Sequence, residues 1–181
     1  MKDENDTVYN LIWYELNHTK FWEQYLSQYC SNKQDWRKRL TLFTIVVSSI
    51  GAASWIGWDF LKSAMPIFTG IAFSIVTLFQ IFVAYKDHTA LTPQELQKMI
   101  TLRVKYIQFF NDIEKLFQRY YCDDITPKEA LDKFYEFRNL HAPDIESIKE
   151  DLNIKENPRA YKKAVEQVHL YLRPRYPSGF N

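Results

Sequence analysis

The sequence predicts an all-α membrane protein: a two-helix transmembrane hairpin carrying a cytosolic helical bundle built from the N-terminal helix and the C-terminal helices. Three observations predict it. Two apolar runs, residues 40–58 and 63–85, carry no charge over roughly 19 and 23 residues. Crossing a hydrocarbon core of about 30 Å at 1.5 Å per residue takes about 20 helical residues, so both are long enough to span. Asp59-Phe-Leu-Lys62 between them is short enough only for a turn. Elsewhere apolar residues recur at steps of three and four, and no segment alternates with period two, which excludes a sheet. A mean hydropathy of −0.37 then means that the apolar content is concentrated in the hairpin.

The competing architecture is a soluble bundle with two buried central helices. Rings and charges argue against it. Trp55 and Trp58 end the first run and Tyr85 ends the second, where amphipathic rings favour the headgroup zone. Lys33, Arg37, Lys38 and Arg39 crowd the approach to the first run, whereas the turn has Lys62 offset by Asp59. The positive-inside rule places both termini in the cytoplasm. Three regions follow: 1–39, an amphipathic helix and basic lead-in; 40–85, the hairpin; 86–181, a cytosolic helical domain with an extended tail. The start, Met-Lys-Asp-Glu-Asn-Asp, has no cleavable-signal pattern, so insertion is expected to rely on the hairpin.

Residues 6–33 read as one amphipathic helix with Val8, Leu11, Ile12 and Leu16, then Trp22, Tyr25, Leu26 and Tyr29 on its apolar stripe. Glu15, His18, Lys20, Glu23 and Gln24 fall largely off that stripe, and the mixed charges favour packing over a membrane-surface role. Thr92-Pro-Gln-Glu95 starts a second cytosolic helix to about Tyr121. Its seam of Met99, Arg103, Tyr106, Phe110, Ile113, Phe117 and Tyr120 is heptad-like, suited to intersubunit or bundle packing. Arg103 on that seam demands a carboxylate or a ligand. Thr126-Pro-Lys-Glu129 opens a helix to about Asn139 with Ala130, Leu131, Phe134 and Phe137 inward, broken by Ala142-Pro-Asp144. Asn157-Pro-Arg159 opens the last, with Tyr161, Ala164, Val165, Val168 and Leu172 on one face. Arg173 to Asn181 is expected to be an extended tail.

Net charge is +1, so nothing in the whole chain suggests a nucleic-acid coat or an acidic tail. No catalytic constellation can be assembled: there is no metal-spaced His/Cys set, no glycine-rich phosphate loop and no nucleophile elbow. His18, His88, His141 and His169 are scattered singly, Asp123-Asp124 reads as a loop, and Cys30 and Cys122 as free thiols. The expectation is a non-enzyme with no metal and no cofactor.

The informative polar residues lie in the apolar runs. Gly70, Ser74, Thr77 and Gln80 form one face of the second run, and Thr44 and Ser48 behave similarly in the first. Small and hydroxyl residues let helices approach closely. The same face can line a water-filled pore in an oligomer, and Gln80 at that depth requires partners or water. A second candidate site is basic: Arg159, Lys162, Lys163, Arg173 and Arg175, with Tyr171 and Tyr176 beside them, suits phosphate binding and base stacking. A solvated face, or binding to anionic lipid, is the competing interpretation.

With its long N-terminal helix, the basic Trp36-Arg-Lys-Arg39, the two-span hairpin and the C-terminal helical region, the layout resembles the SLATT-type two-transmembrane effectors of bacterial nucleotide-signalling antiphage defence, including the Hailong and CBASS-like kinds. The resemblance covers most of the chain and is architectural, so it transfers no functional residue. It implies a homo-oligomer in the bacterial inner membrane; a tetramer is favoured because a symmetric ring of about four two-span subunits suits a narrow pore. The cytosolic helices would sense a nucleotide or oligonucleotide made by a partner nucleotidyltransferase, and the pore would depolarise an infected cell. The seam at 99–120 would then form a stalk between copies. The alternative is a membrane-anchored scaffold or binding subunit without a pore.

Overall fold

A computed structural model describes residues 2–53, 74–75, 77–79, 81–82, 92–152 and 154–180; among these every regular element is helical and there is no strand. Helix α1 is Lys2–Ala53, α2 Pro93–Tyr121, α3 Pro127–Glu150 and α4 Pro158–Leu172, followed by a 3₁₀ turn at Pro177–Phe180. The chain divides into two compact units, one of residues 1–30 and 93–181, the other of residues 31–92.

Within residues 31–92, the rings of Phe43 and Phe79 lie 4.2 Å apart, so the two apolar runs touch. Among the described residues no helix is long and apolar enough to cross a membrane. The described part of the first run ends at Ala53. The turn at 59–62, Trp55, Trp58, Gly70, Gln80 and Tyr85 lie outside the described residues, as do the side chains of Thr44 and Ser48.

The other unit is a helical bundle. Val8, Ile12, Leu16, Leu26 and Tyr29 of α1 are buried with Met99, Leu102, Tyr106, Phe110, Ile113 and Phe117 of α2. The seam of α2 is therefore the bundle's own core. Side chains this deep in one copy cannot also form a stalk between copies, and the expected stalk is corrected on that ground.

Local chemistry sets the helix ends. Thr126 accepts from the Glu129 amide while the Glu129 carboxylate accepts from the Thr126 N–H, a reciprocal capping box. Those two bonds to Thr126, first the backbone and then the hydroxyl, hold the Glu129 carboxyl below its ordinary value. Asn157 caps α4 by accepting from the Ala160 amide. Helix α2 ends in a Schellman arrangement: Asp124 N–H bonds Arg119 O, Asp123 N–H bonds Tyr120 O, and Asp123 sits at a left-handed φ of 56°.

Four further expectations need correction. Helix α3 does not break at 142–144 but runs through Pro143 to Glu150. Proline removes one bond and normally kinks a helix, yet tertiary pairing holds both sides of this one. His141 Nε2 donates to Asp112 Oδ2 at 2.9 Å, Lys105 Nζ donates to Asp144 at 2.6 Å, and Ile145 is buried. Lys20 and Glu23, expected to face outward, are only 7% and 8% exposed, for reasons given below. On α4 the buried stripe is Ala160, Ala164, Val168 and Leu172, whereas Tyr161 faces out at 57% exposure. The small alanines permit close helix approach that a tyrosine would prevent.

The C-terminal tail is the fourth. It turns back and inserts Tyr176 among Trp13, Phe117 and Tyr121, with ring centroids 6.1, 5.1 and 6.3 Å away. Gln118 Nε2 donates to the Tyr176 hydroxyl at 3.0 Å. The 3₁₀ turn then passes so close to Trp13 that a Cβ on Gly179 would lie 2.5 Å from its Cζ2. Burying a large aromatic ring outweighs the solvation of this short segment.

Candidate functional site

The two candidate groups fall differently in the structure. Ser74 and Thr77 are exposed residues of helical segments in the 31–92 unit. The basic residues belong to the bundle, where they do not converge. Arg159, Lys162 and Lys163 are exposed on the first half of α4, and Arg173 and Arg175 are exposed just past its end. At 1.5 Å per residue, Arg159 and Arg173 are separated by about 21 Å along the axis.

Arg175 is already engaged. Its Nη1 donates to Tyr171 O at 2.9 Å, and its guanidinium lies 3.8 Å from the centroid of the Tyr171 ring. Lys20 Nζ is 3.9 Å from that same centroid and 4.5 Å from that of Phe110. The Tyr171 hydroxyl donates to Glu114 Oε1 at 3.2 Å. Burial first, and then Glu114, push the Tyr171 phenol up; burial also raises Tyr176.

This explains why Lys20 is buried. Its ammonium donates to Glu23 Oε2 at 2.8 Å and rests on two ring faces, so the charge is compensated without water. The other oxygen of Glu23 accepts from Gln24 at 3.0 Å.

Arg103 stands apart. It is half-buried, and its Nε is buried without a hydrogen-bond partner among the described residues. Its charge acts on Cys30, whose thiol burial pushes up and Arg103 pulls back. The Cys30 thiol faces Met99 Sδ at 4.0 Å. Both cysteines are free.

The histidines are held locally. Trp22 Nε1 donates to His18 Nε2 at 2.9 Å, leaving Nδ1 to carry the proton toward Glu15 Oε1 at 3.3 Å. His141 stacks on Phe109 with centroids 5.1 Å apart. Among the described residues no group of three or more His, Cys, Asp or Glu side chains is placed to hold a metal ion.

A feature not foreseen is a cavity of about 450 Å³ between α1, the α3–α4 connection and the start of α4. Phe21, Trp22, Tyr25 and Tyr161 line it with Glu156 and Asn157. The Tyr25 hydroxyl ties its wall together, donating to Lys155 O at 3.3 Å and accepting from Asn157 N–H at 3.1 Å. A sequence signal existed in the cluster Phe21, Trp22 and Tyr25, yet five of the eight lining residues come from beyond residue 150. No protein-family model, no curated protein and no solved structure matches this chain.

Proposed function

We propose that the chain is a membrane effector of the SLATT-like kind, an oligomer whose hairpin at 40–85 forms a gated ion-conducting pore in a bacterial inner membrane. Its physiological output would be depolarisation in antiphage, abortive-infection defence. The observation that carries this is an apolar surface in the 31–92 unit. Leu42, Phe43, Ile45, Val46, Ile75, Leu78, Ile81 and Phe82 are 45–66% exposed. Exposed apolar groups at this density belong against lipid or another copy rather than water. The uncharged lengths of the two runs, the basic lead-in at Lys33 to Arg39 and the ring contact between Phe43 and Phe79 agree with a hairpin.

Thr44, Ser48, Gly70, Ser74, Thr77 and Gln80 would line the pore. Because the basic residues of the bundle are dispersed, a signalling nucleotide or oligonucleotide would meet them as a surface. Gating would follow from different affinities for the closed and open arrangements. The test is Ser74→Leu, Thr77→Leu and Gln80→Leu combined: leakage from vesicles should be lost while expression and oligomer mass persist. Unchanged leakage would count against pore lining.

The dispersal of the basic residues favours one second reading, a membrane-anchored helical scaffold. Replacing 40–85 with an unrelated two-span anchor separates the two, since full biological activity would support the tether.

A further inference from the structure

We propose that the cavity between α1 and the start of α4 is a binding site for a small free organic cation, an alkylated ammonium. Its lining includes four aromatic residues, Phe21, Trp22, Tyr25 and Tyr161, and the acidic Glu156. Aromatic faces together with a carboxylate attract ammonium groups, and alkylated ones most readily because their weak hydration makes transfer to an aromatic site easier.

Two of the other polar groups of the cavity are spent internally. The Tyr25 hydroxyl is bonded to Lys155 O and to the Asn157 amide. The Asn157 side chain caps the Ala160 amide. Glu156 is exposed and forms no ion pair among the described residues, so its charge remains available. No basic side chain lines the cavity, which disfavours a phosphate there. A cation meets aromatic rings and an acidic residue there.

Elsewhere the bundle uses the same chemistry on its own side chains: Lys20 Nζ rests on Tyr171 and Phe110. At the cavity wall itself, Lys149 Nζ lies 4.8 Å from the Trp22 centroid, so this ring already receives a cation. Among the lining residues, the rings of Phe21 and Tyr161 meet at 62° with centroids 5.1 Å apart. Because Tyr161 is largely exposed, it can be removed without opening the core.

The experiment is calorimetric titration of the full chain in detergent with choline and with its neutral isostere 3,3-dimethylbutan-1-ol. Choline is expected to bind about tenfold more tightly, the contrast expected of a cation–aromatic site. Tyr161→Ala and Glu156→Gln, each checked for an unchanged circular-dichroism melt, should each weaken choline about fivefold or more. Phosphocholine should bind more weakly than choline, because its phosphate meets Glu156. Equal affinity for choline and the isostere, no choline binding up to about 10 mM, or variants that bind like the parent would each overturn the site. Tighter binding of phosphocholine would overturn its assignment to a free cation in favour of a lipid headgroup.

Discussion

Removing the ring of Tyr176 should destabilise the bundle, although this residue lies near the C-terminus of the sequence. The side chain is 5% exposed, packs on Trp13, Phe117 and Tyr121, and receives a hydrogen bond from Gln118. Large-to-alanine changes at buried aromatic positions cost about 3–5 kcal/mol. The lower end fits here, because the end of a chain relaxes more readily than a helix interior. Tyr176→Ala should therefore cost about 3 kcal/mol, which for a chain of this length lowers Tm by about 6–12 °C. Tyr176→Phe keeps the ring and loses the hydroxyl bond, so about 1 kcal/mol and about 2–4 °C are expected. Gly179→Ala probes the same docking from the other side. Its new Cβ would fall 2.5 Å from Trp13 Cζ2, and that ring is itself held by Tyr9 and Phe117. The alanine must push the 3₁₀ turn off the bundle. Thermal melts of the full chain in detergent, followed by near-ultraviolet circular dichroism, give all three shifts. If Tyr176→Ala and Gly179→Ala both melt within about 2 °C of the parent, the tail does not dock as described.

Three further outcomes follow from the bundle. Thr126→Ala should cost about 1 kcal/mol by losing the cap. Glu129, whose carboxyl is lowered chiefly by its bonds to Thr126, contributes stability above its ordinary value of 4.5 that is lost as pH falls through the lower folded value. Melts from pH 6 down to pH 3 should thus show a shallower acid dependence in Thr126→Ala than in the parent. Glu23→Ala strands the Lys20 charge in the core and should cost about 3 kcal/mol, whereas Lys20→Met with Glu23→Leu should fall within about 1 kcal/mol of the parent; denaturant titration of both would decide. Cys122 is exposed while the Cys30 thiol is half-buried and pushed up, so a thiol reagent at pH 8 should label Cys122 about tenfold faster or more. Comparable rates would contradict the burial of Cys30.

What was legible in the sequence follows the range of the interactions involved. The box of Thr126 with Glu129 and the cap at Asn157 use partners three residues apart, so spacing alone revealed them. The apolar stripe of α2 was legible for the same reason, while its role as core required the partner helix. Pro143 misled because the groups that keep α3 helical, Asp112 and Lys105, belong to α2. Spacing puts Lys20 and Glu23 largely off the apolar stripe of α1, and the rings of Phe110 and Tyr171 that receive Lys20 are distant in sequence. The aromatic cavity was illegible for a similar reason: Tyr25 meets Asn157 across 132 residues. The basic residues of the second candidate site are not brought together, and four of the six proposed pore-lining side chains lie outside the described residues.

The proposed function is tested most directly by the conductance of the purified chain in a planar bilayer, with its mass in detergent taken alongside. A gated pore predicts discrete single-channel steps from an oligomer of defined mass, altered by an added nucleotide signal. Persistent silence from a well-folded oligomer, with candidate nucleotides and after nuclease treatment, would contradict the pore and leave the hairpin as an anchor.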